Sequence, residues 1–186
     1  MNAKDNSIRN QSSHVIFITG GTKSGKSEFA EYLAKGSKKL SYIALSEKNI
    51  DDIEWQKKIN LHRKRRPNDW KLIETTDLLN ILSKEDGPLL IDSIGGFVME
   101  SIGKEQNEWS TKMNSLISLL MKRKSTTFIV GEQVGWSLVS EYKIGNTYIE
   151  RIGELQKRIT TISKDNWLTM NGRAIKIDEI SLEIPT

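Results

Sequence analysis

Residues 20–27 are Gly20-Gly21-Thr22-Lys23-Ser24-Gly25-Lys26-Ser27, and they match the pattern G-x-x-x-x-G-K-[ST] of phosphate-binding loops. The run 14–19 before the loop predicts a buried strand, and residues 27–35 after it predict a helix. Glycines let backbone amides turn inward toward a phosphate, and a helix start adds partial positive charge. We therefore expect Lys26 to reach the β- and γ-phosphates of a nucleoside triphosphate and Ser27 to bind Mg²⁺. The alternative is a chance glycine-rich turn, which the flanking strand and helix disfavour.

Short apolar runs alternate with helical patterns along the rest of the chain, which is typical of a mostly parallel sheet flanked by helices. The further predicted strands lie at 40–45, 70–74, 88–92 and 126–130. The further predicted helices lie at 51–66, 77–84, 109–121 and 148–162. Asn171-Gly172, between two strand-like runs that end at residue 177, predicts a closing β-hairpin. The fold class is therefore α/β, with a phosphate loop and a C-terminal hairpin.

Length and composition limit the classes of protein to which the chain can belong. A length of 186 residues suits one domain, which we place at 14–186, after a polar extension at 1–13 that we expect to be disordered. No apolar run reaches the ~18 residues of a membrane span, so no membrane span is expected. The absence of cysteine excludes disulfides, thiol catalysis and cysteine-ligated zinc, and it fits a cytoplasmic location.

Six of the ten residues from 57 to 66 are basic, although the net charge of the whole chain is only +4. The six are Lys57, Lys58, Arg63, Lys64, Arg65 and Arg66. Such a cluster suits an anionic ligand, which is either a nucleotide or a nucleic-acid backbone.

His62 lies inside this basic segment. The neighbouring cations disfavour its charged form, so we expect a neutral, nucleophilic imidazole near pH 7. A neutral imidazole beside a bound α-phosphate can attack it and form a phosphoramidate. The alternative is a surface histidine on a solvated basic helix, and the charge pattern alone favours that alternative.

Asp92 ends the apolar run 88–91. In an open parallel sheet, ligands bind at the carboxyl ends of the strands, where both this acid and the phosphate loop are expected. The position is typical of the acid that orients Mg²⁺ opposite a phosphate loop. Two alternatives stay open, a carboxylate that accepts a sugar hydroxyl and a strand-ending Asp that caps a turn.

The order of these motifs resembles one known family. The matching segments are 19–27, 42–44, 51–52, Ile59-x-x-His62-Arg63-x-x-Arg66-Pro67-x-x-Trp70, 90–92, 134–135, Arg151-x-Gly153-x-Leu155 and 167–168. The chain resembles the bifunctional adenosylcobinamide kinase/adenosylcobinamide-phosphate guanylyltransferases of cobalamin biosynthesis over residues 14–177. The segment around His62 is far more specific to this family than the phosphate loop, which many families share.

The resemblance implies two reactions. The first is phosphorylation of the aminopropanol hydroxyl of adenosylcobinamide by a nucleoside triphosphate, either GTP or ATP. The second is transfer of GMP from GTP to adenosylcobinamide phosphate, which releases pyrophosphate and gives adenosyl-GDP-cobinamide. The residue that matches His62 carries GMP as a covalent intermediate.

The resemblance also implies a nucleotide site, a fold and an assembly. Besides residues 20–27, the implied GTP-site residues are Leu45, Ser46, Glu47, Arg63, Lys64, Arg65, Arg66, Glu74 and Asp92. Ser27 and Asp92 are the expected Mg²⁺ ligands. The implied fold is related to recombinase-type (RecA-like) ATPases, and the implied assembly is a homotrimer or another homo-oligomer.

The chain departs from the family pattern at three places. The usual Asn-Glu-Val-Gly is Glu132-Gln133-Val134-Gly135, a common proline is Ser140, and the usual Cys-Leu-Thr is 93–95, Ser-Ile-Gly. These positions lie around the expected corrinoid or hydroxyl-phosphorylating side and not in the segment around His62. Glu132 fits either a catalytic base near a strand end or a solvated loop acid, whereas Gln133 is no base.

Two functions of other kinds remain as alternatives. One is a small-molecule kinase with a phosphate loop and no covalent step. The other is a nucleotide-gated protein that binds nucleic acid through the basic segment, which predicts strongly salt-dependent binding to polynucleotides. The chain has no recognised nucleic-acid fold signature and no aromatic residues interleaved with the basic run, so we expect no nucleic-acid partner.

Overall fold

The structure, a computed structural model, describes residues 13–46, 66–136 and 140–184. Its strands are β1 (Val15–Gly20), β2 (Ser41–Ala44), β3 (Lys71–Glu74), β4 (Leu89–Asp92), β5 (Thr127–Glu132), β6 (Asp165–Met170) and β7 (Arg173–Lys176). Its helices are α1 (Lys26–Ala34), α2 (Leu78–Lys84), α3 (Gly95–Met99), α4 (Gln106–Lys122), α5 (Lys143–Ile162) and α6 (Ile177–Ile180). None of the helices in these ranges is long and apolar enough to cross a membrane.

The seven strands form one sheet in the order β3-β2-β4-β5-β1-β6-β7. All neighbours are parallel except β6 and β7. The strand that precedes the phosphate loop, β1, is separated from β4 by β5 alone. The predicted fold class, a mostly parallel sheet flanked by helices and closed by a hairpin, is confirmed.

Two hydrophobic clusters cover the two faces of the sheet. In β5, Ile129 packs in the larger cluster with Trp109 of α4 and Leu155 of α5. Its neighbour Val130 packs in the smaller cluster with Ala30 of α1. Successive strand residues point to opposite faces, so the strand predicted at 126–130 is buried on both sides.

The closing hairpin turns at the predicted dipeptide. Asn171 has φ 51° and Gly172 has φ 74°, the left-handed pair that a two-residue hairpin turn requires. The second strand ends earlier than predicted, because Ile177 begins α6. That short helix brings the Asp178 carboxylate to Asn166, whose backbone N–H donates to it over 2.7 Å.

The helix predictions differ from the structure at several boundaries. Helix α1 ends at Ala34, and α5 begins at Lys143 rather than at 148. Helix α3 was not predicted, because it begins with two glycines, which have low helix propensity. The helix predicted at 51–66 lies almost wholly outside the described residues, as do residues 1–12 of the predicted extension. Ser13, the last residue of that extension, donates a hydrogen bond to the Ile162 carbonyl.

Candidate active site

The phosphate loop connects the end of β1 to the start of α1. Thr22 and Lys23 at its tip are exposed, and the backbone turns at Lys23 and Gly25, which have φ 56° and 94°. The Lys26 ammonium donates to the Gly21 carbonyl over 3.0 Å. The loop therefore holds the Lys26 charge beside the N-terminus of α1, where a phosphate is favoured.

The C-terminal hairpin supports the loop from the side. The hydroxyls of Ser24 and Thr169 are hydrogen-bonded over 2.8 Å, and Thr169 also donates to the Thr19 carbonyl over 3.2 Å. The backbone N–H of Gly172 donates to the Ser24 carbonyl over 3.1 Å. Both hydroxyl groups are buried. The loop conformation thus depends on residues about 145 positions away in the chain.

Asp92 lies at the end of β4, next to the start of α1. The Ser27 hydroxyl donates to Asp92 Oδ1 over 3.1 Å, and the Tyr42 hydroxyl donates to Asp92 Oδ2. Burial, followed by the nearby Asp92 charge, raises the pKa of Tyr42 far above its ordinary value. Tyr42 therefore remains a neutral phenol that donates its proton to the carboxylate.

The contact between Ser27 and Asp92 has the donor chemistry that Mg²⁺ requires. Mg²⁺ prefers oxygen ligands and is commonly held by one or two carboxylates together with substrate phosphates and water. In the part of the chain that the structure describes, no group of three or more His, Cys, Asp or Glu side chains has the placement of a metal site. A hydroxyl and one carboxylate fit Mg²⁺ that arrives with a nucleotide, because phosphates and water then supply the other ligands.

Arg66 lies beside this group. Its guanidinium carbon is 3.3 Å from the centroid of the Tyr42 ring, and its Nε is 3.5 Å from Glu31 Oε1 of α1. The Arg66 and Glu31 side chains are largely buried, with 11% and 9% of their surfaces exposed. The Arg66 guanidinium is therefore fixed against the face of the Tyr42 ring, and the Tyr42 hydroxyl donates to Asp92.

Three other predicted residues lie farther along the same edge of the sheet. Leu45 and Ser46 follow β2, and Glu74 ends β3. Four strand spacings separate β3 from β1, which corresponds to ~19 Å at ~4.8 Å per spacing. The structure therefore brings Lys26, Ser27, Asp92 and Arg66 together. Leu45 and Ser46 lie one strand spacing from the strand of Asp92, and Glu74 lies two strand spacings from it.

The remaining predicted residues lie outside the described part of the chain. They are Glu47, His62, Arg63, Lys64 and Arg65.

Comparison with known sequences identifies the family. The sequence model of the family described as cobinamide kinase/cobinamide phosphate guanyltransferase matches residues 16–177. The chain belongs to this family. The resemblance inferred from the motifs is thereby confirmed, and the chain is an enzyme.

Curated relatives agree with the family match. The chain is 27% identical over 181 residues to the bifunctional adenosylcobalamin biosynthesis protein CobU of Escherichia coli (strain K12), covering 88% of this chain and 99% of that protein. It is 26% identical to the protein of the same name from Salmonella typhimurium, with the same coverage. It is also 26% identical over 148 residues to the bifunctional adenosylcobalamin biosynthesis protein CobP of Pseudomonas aeruginosa, covering 76% of this chain and 84% of that protein.

Two solved structures are similar at lower sequence identity. A KaiC-like protein from Pyrococcus horikoshii OT3 is 17% identical with a TM-score of 0.46, covering 83% of this chain and 70% of that chain. The P4 protein of bacteriophage phi6 in complex with ADP is 13% identical with a TM-score of 0.43, covering 87% and 52%.

Within this family site, several contacting residues were not predicted from the sequence. Tyr42 lies in the matching segment 42–44, but the sequence assigned it no role. Glu31 lies in the helix after the phosphate loop and outside the matching segments, and Thr169 lies in a strand far from that loop in sequence. The sequence allowed two interpretations of Glu132, and the interpretation as a solvated loop acid is wrong. Glu132 is the last residue of β5, and its carboxylate accepts hydrogen bonds from Ser93 and from the Gly95 backbone N–H.

A cavity of about 300 Å³ opens beside Glu132, between the end of β5 and α5. Gln133 and Gln156 line it, and their side chains are held by hydrogen bonds. Gln133 Nε2 donates to Thr19 Oγ1 over 3.1 Å, and Gln156 Nε2 donates to the Glu132 carbonyl over 2.7 Å. The amides thus hold the backbone at the strand end and leave Glu132 as the acid on the wall of the cavity.

Proposed function

We propose that this enzyme phosphorylates the aminopropanol hydroxyl of adenosylcobinamide with GTP or ATP and then transfers GMP from GTP to adenosylcobinamide phosphate. The products of the second reaction are adenosyl-GDP-cobinamide and pyrophosphate. The observation that supports the proposal most strongly is the contact between Ser27 and Asp92, next to Lys26, in a chain of the cobinamide kinase/guanyltransferase family.

In the proposed kinase reaction, the amides of residues 20–27 bind the phosphates and Lys26 neutralises charge on the β- and γ-phosphates. Ser27 and Asp92 would hold Mg²⁺ with the nucleotide. When bound, that ion supplies positive charge to the phosphate oxygens of the reacting group. Tyr42 and Arg66 keep the Asp92 carboxylate in place through the contacts described above.

In the proposed guanylyl transfer, a neutral His62 nitrogen attacks the α-phosphorus of GTP. An N–P bond forms, the bond from the α-phosphorus to the bridging oxygen breaks, and pyrophosphate leaves with the electron pair. A phosphate oxygen of adenosylcobinamide phosphate then displaces the imidazole and forms the new P–O bond. The basic residues Arg63, Lys64, Arg65 and Arg66 neutralise charge on the triphosphate and on the leaving pyrophosphate.

The position of His62 in the chain is compatible with this role. It lies four positions before Arg66 in the chain. A fully extended chain spans at most ~3.6 Å per residue, or ~14 Å over four positions. Arg66 itself packs on Tyr42, which is hydrogen-bonded to Asp92. We propose that Leu45, Ser46, Glu47 and Glu74 bind the part of GTP that lies farther along the sheet edge.

The proposal extends to the state of the protein in the cell. We propose a single domain at 14–186, a cytoplasmic location and a homotrimer or another homo-oligomer. We propose no nucleic-acid partner.

Labelled GTP tests the covalent step. The protein is incubated with Mg²⁺ and GTP labelled at either the α- or the γ-phosphate, and is then denatured. We expect acid-labile, alkali-stable α-label on the wild type and none on His62→Ala. We expect wild-type labelling of the matched control His14→Ala, because His14 is exposed immediately before β1. No α-label on an active wild type would contradict guanylyl transfer through His62. Transfer of the γ-label alone would favour the kinase without a covalent step.

A further inference from the structure

Glu132 stands between the two halves of the proposed phosphate site. Its strand, β5, lies between β1, which leads into the phosphate loop, and β4, which ends in Asp92. In the parallel register, Glu132 is opposite Gly20, and Asp92 is opposite Val130. The three strands therefore end at one edge, and the Glu132 side chain lies at the same edge as the loop and Asp92.

The carboxylate of Glu132 is held in one place. The Ser93 hydroxyl donates to Oε1, and the Gly95 backbone N–H donates to Oε2 over 3.2 Å. A Cβ atom at Gly95 would lie 2.7 Å from Glu132 Oε1 and would also clash with the Tyr148 hydroxyl, so this close approach needs glycine. Each carboxylate oxygen accepts two hydrogen bonds, so two donors leave capacity for a third.

The charges around Glu132 suit a base. Burial is the largest effect and raises the pKa of Glu132, and the Asp92 charge on β4 raises it further. The Ser93 hydrogen bond and the Lys26 charge on α1 act in the opposite direction. A carboxylate of raised pKa is a stronger base, and its efficiency as a proton acceptor increases as its pKa approaches the working pH.

A further titratable neighbour of Glu132 in the described part of the chain is a proton donor. Tyr148 of α5 lies beside Glu132, and burial, followed by the Glu132 charge, raises the pKa of Tyr148 to about 12. It is therefore neutral at physiological pH and presents an O–H group on the same side as the carboxylate. A hydroxyl donor beside a fixed carboxylate matches the hydrogen-bonding needs of an alcohol, which accepts one hydrogen bond and donates another.

We propose that Glu132 is the general base that accepts the proton of the acceptor alcohol, with Tyr148 donating to the same alcohol oxygen. The inference rests on the proposed kinase reaction. The alcohol oxygen forms a bond to the γ-phosphorus, and the bond from that phosphorus to the β–γ bridging oxygen breaks. The nucleoside diphosphate leaves with the electron pair, and the alcohol proton passes to the Glu132 carboxylate and then to solvent. Glu132 also lines the cavity between the end of β5 and α5.

The two reactions of the proposed function make the test selective. The second acceptor is a phosphate, which is already ionised near neutral pH and has no proton that must be removed as it attacks. Replacing Glu132 by its neutral isostere should therefore impair phosphorylation of the alcohol and leave guanylyl transfer to the phosphate intact. A residue that acted only in folding or nucleotide binding would affect both.

The experiment compares three full-length proteins, the wild type, Glu132→Gln and Glu150→Gln. Glu150→Gln is the matched control, because the Glu150 carboxylate is exposed on α5. Transfer of γ-label to adenosylcobinamide and transfer of α-label to adenosylcobinamide phosphate are measured separately. For Glu132→Gln we expect the kinase kcat to fall by ~10²–10⁴-fold, the range for general base catalysis, with little change in the KM for nucleotide. We expect guanylyl transfer within twofold of the wild type, a difference in activation free energy of ~0.4 kcal/mol or less.

Three results would overturn the inference. The first is a kinase rate of Glu132→Gln close to that of the wild type. The second is an equal fall in both reactions, which would indicate a structural role. The third is a wild type that performs guanylyl transfer but no alcohol phosphorylation, which would remove the reaction the base serves. A wild type without either activity would instead refute the proposed function itself.

Discussion

Replacing Thr169 by valine tests whether the C-terminal hairpin sets the conformation of the phosphate loop. Valine has nearly the same shape as threonine but no hydroxyl, so the change removes two buried hydrogen bonds, one with Ser24 and one to the Thr19 carbonyl. At ~1 kcal/mol each, their loss lowers the free energy of unfolding by ~2 kcal/mol. For a protein of this size, 1 kcal/mol corresponds to ~2–4 °C, so we expect the Tm to fall by ~4–8 °C.

The same change should weaken nucleotide binding. If half of the loss, ~1 kcal/mol, falls on the conformation of the loop that binds phosphate, the Kd for GTP increases about fivefold. Thermal unfolding followed by circular dichroism measures the first effect, and titration with a fluorescent GTP analogue measures the second.

The matched control for this experiment is Thr161→Val. Thr161 lies on the exposed face of α5, where its hydroxyl donates to the Lys157 carbonyl and water can replace it. We expect this control to leave the Kd unchanged. A Thr169→Val protein with the Tm and Kd of the wild type would show that the hairpin does not support the loop, and the account of the site given above would be wrong on this point.

Two further predictions concern the carboxylates of the site. Asp92→Asn keeps the acceptor for Ser27 and removes the charge, so we expect Mg²⁺ to lose its effect on GTP affinity, a loss of at least ~1.4 kcal/mol or about tenfold. Titrations of GTP with and without Mg²⁺ measure this loss of affinity, and Asp86→Asn is the control because Asp86 is exposed. An unchanged effect of Mg²⁺ in Asp92→Asn would exclude Asp92 as a ligand. Glu132→Gln should increase the free energy of unfolding near pH 7. Because the pKa of Glu132 is raised in the folded protein, its contribution to stability is present below the ordinary glutamate pKa and is lost as the pH rises through the folded value. The difference in free energy of unfolding between Glu132→Gln and the wild type should therefore shrink as the pH is lowered. Chemical denaturation at several pH values measures it, and a pH-independent difference would contradict the raised pKa.

The local part of the fold was predictable from the sequence. The strand before the phosphate loop, the helix after it and the Asn171-Gly172 turn are all specified by neighbouring residues. These patterns work because backbone dihedral preferences and the alternation of side chains act over a few residues.

The end of β5 shows where local patterns fail. The predicted strand stopped at Val130, because Gly131 is a weak strand former. In the structure, a Cβ at Gly131 would lie 2.7 Å from the Phe17 ring, so the glycine permits close packing and the strand continues to Glu132. That two-residue extension is the difference between a loop acid and a carboxylate fixed beside Asp92.

The sequence by itself determined the chemistry that is available, namely a phosphate loop, a strand-ending acid and a basic segment with one histidine. Only the tertiary structure decided which of these groups meet. Ser27 contacts Asp92 across 65 residues and Ser24 contacts Thr169 across 145, because parallel strands bring distant segments to one edge of the sheet. The order of strands in a sheet depends on how the whole core packs, and no short stretch of residues contains that information.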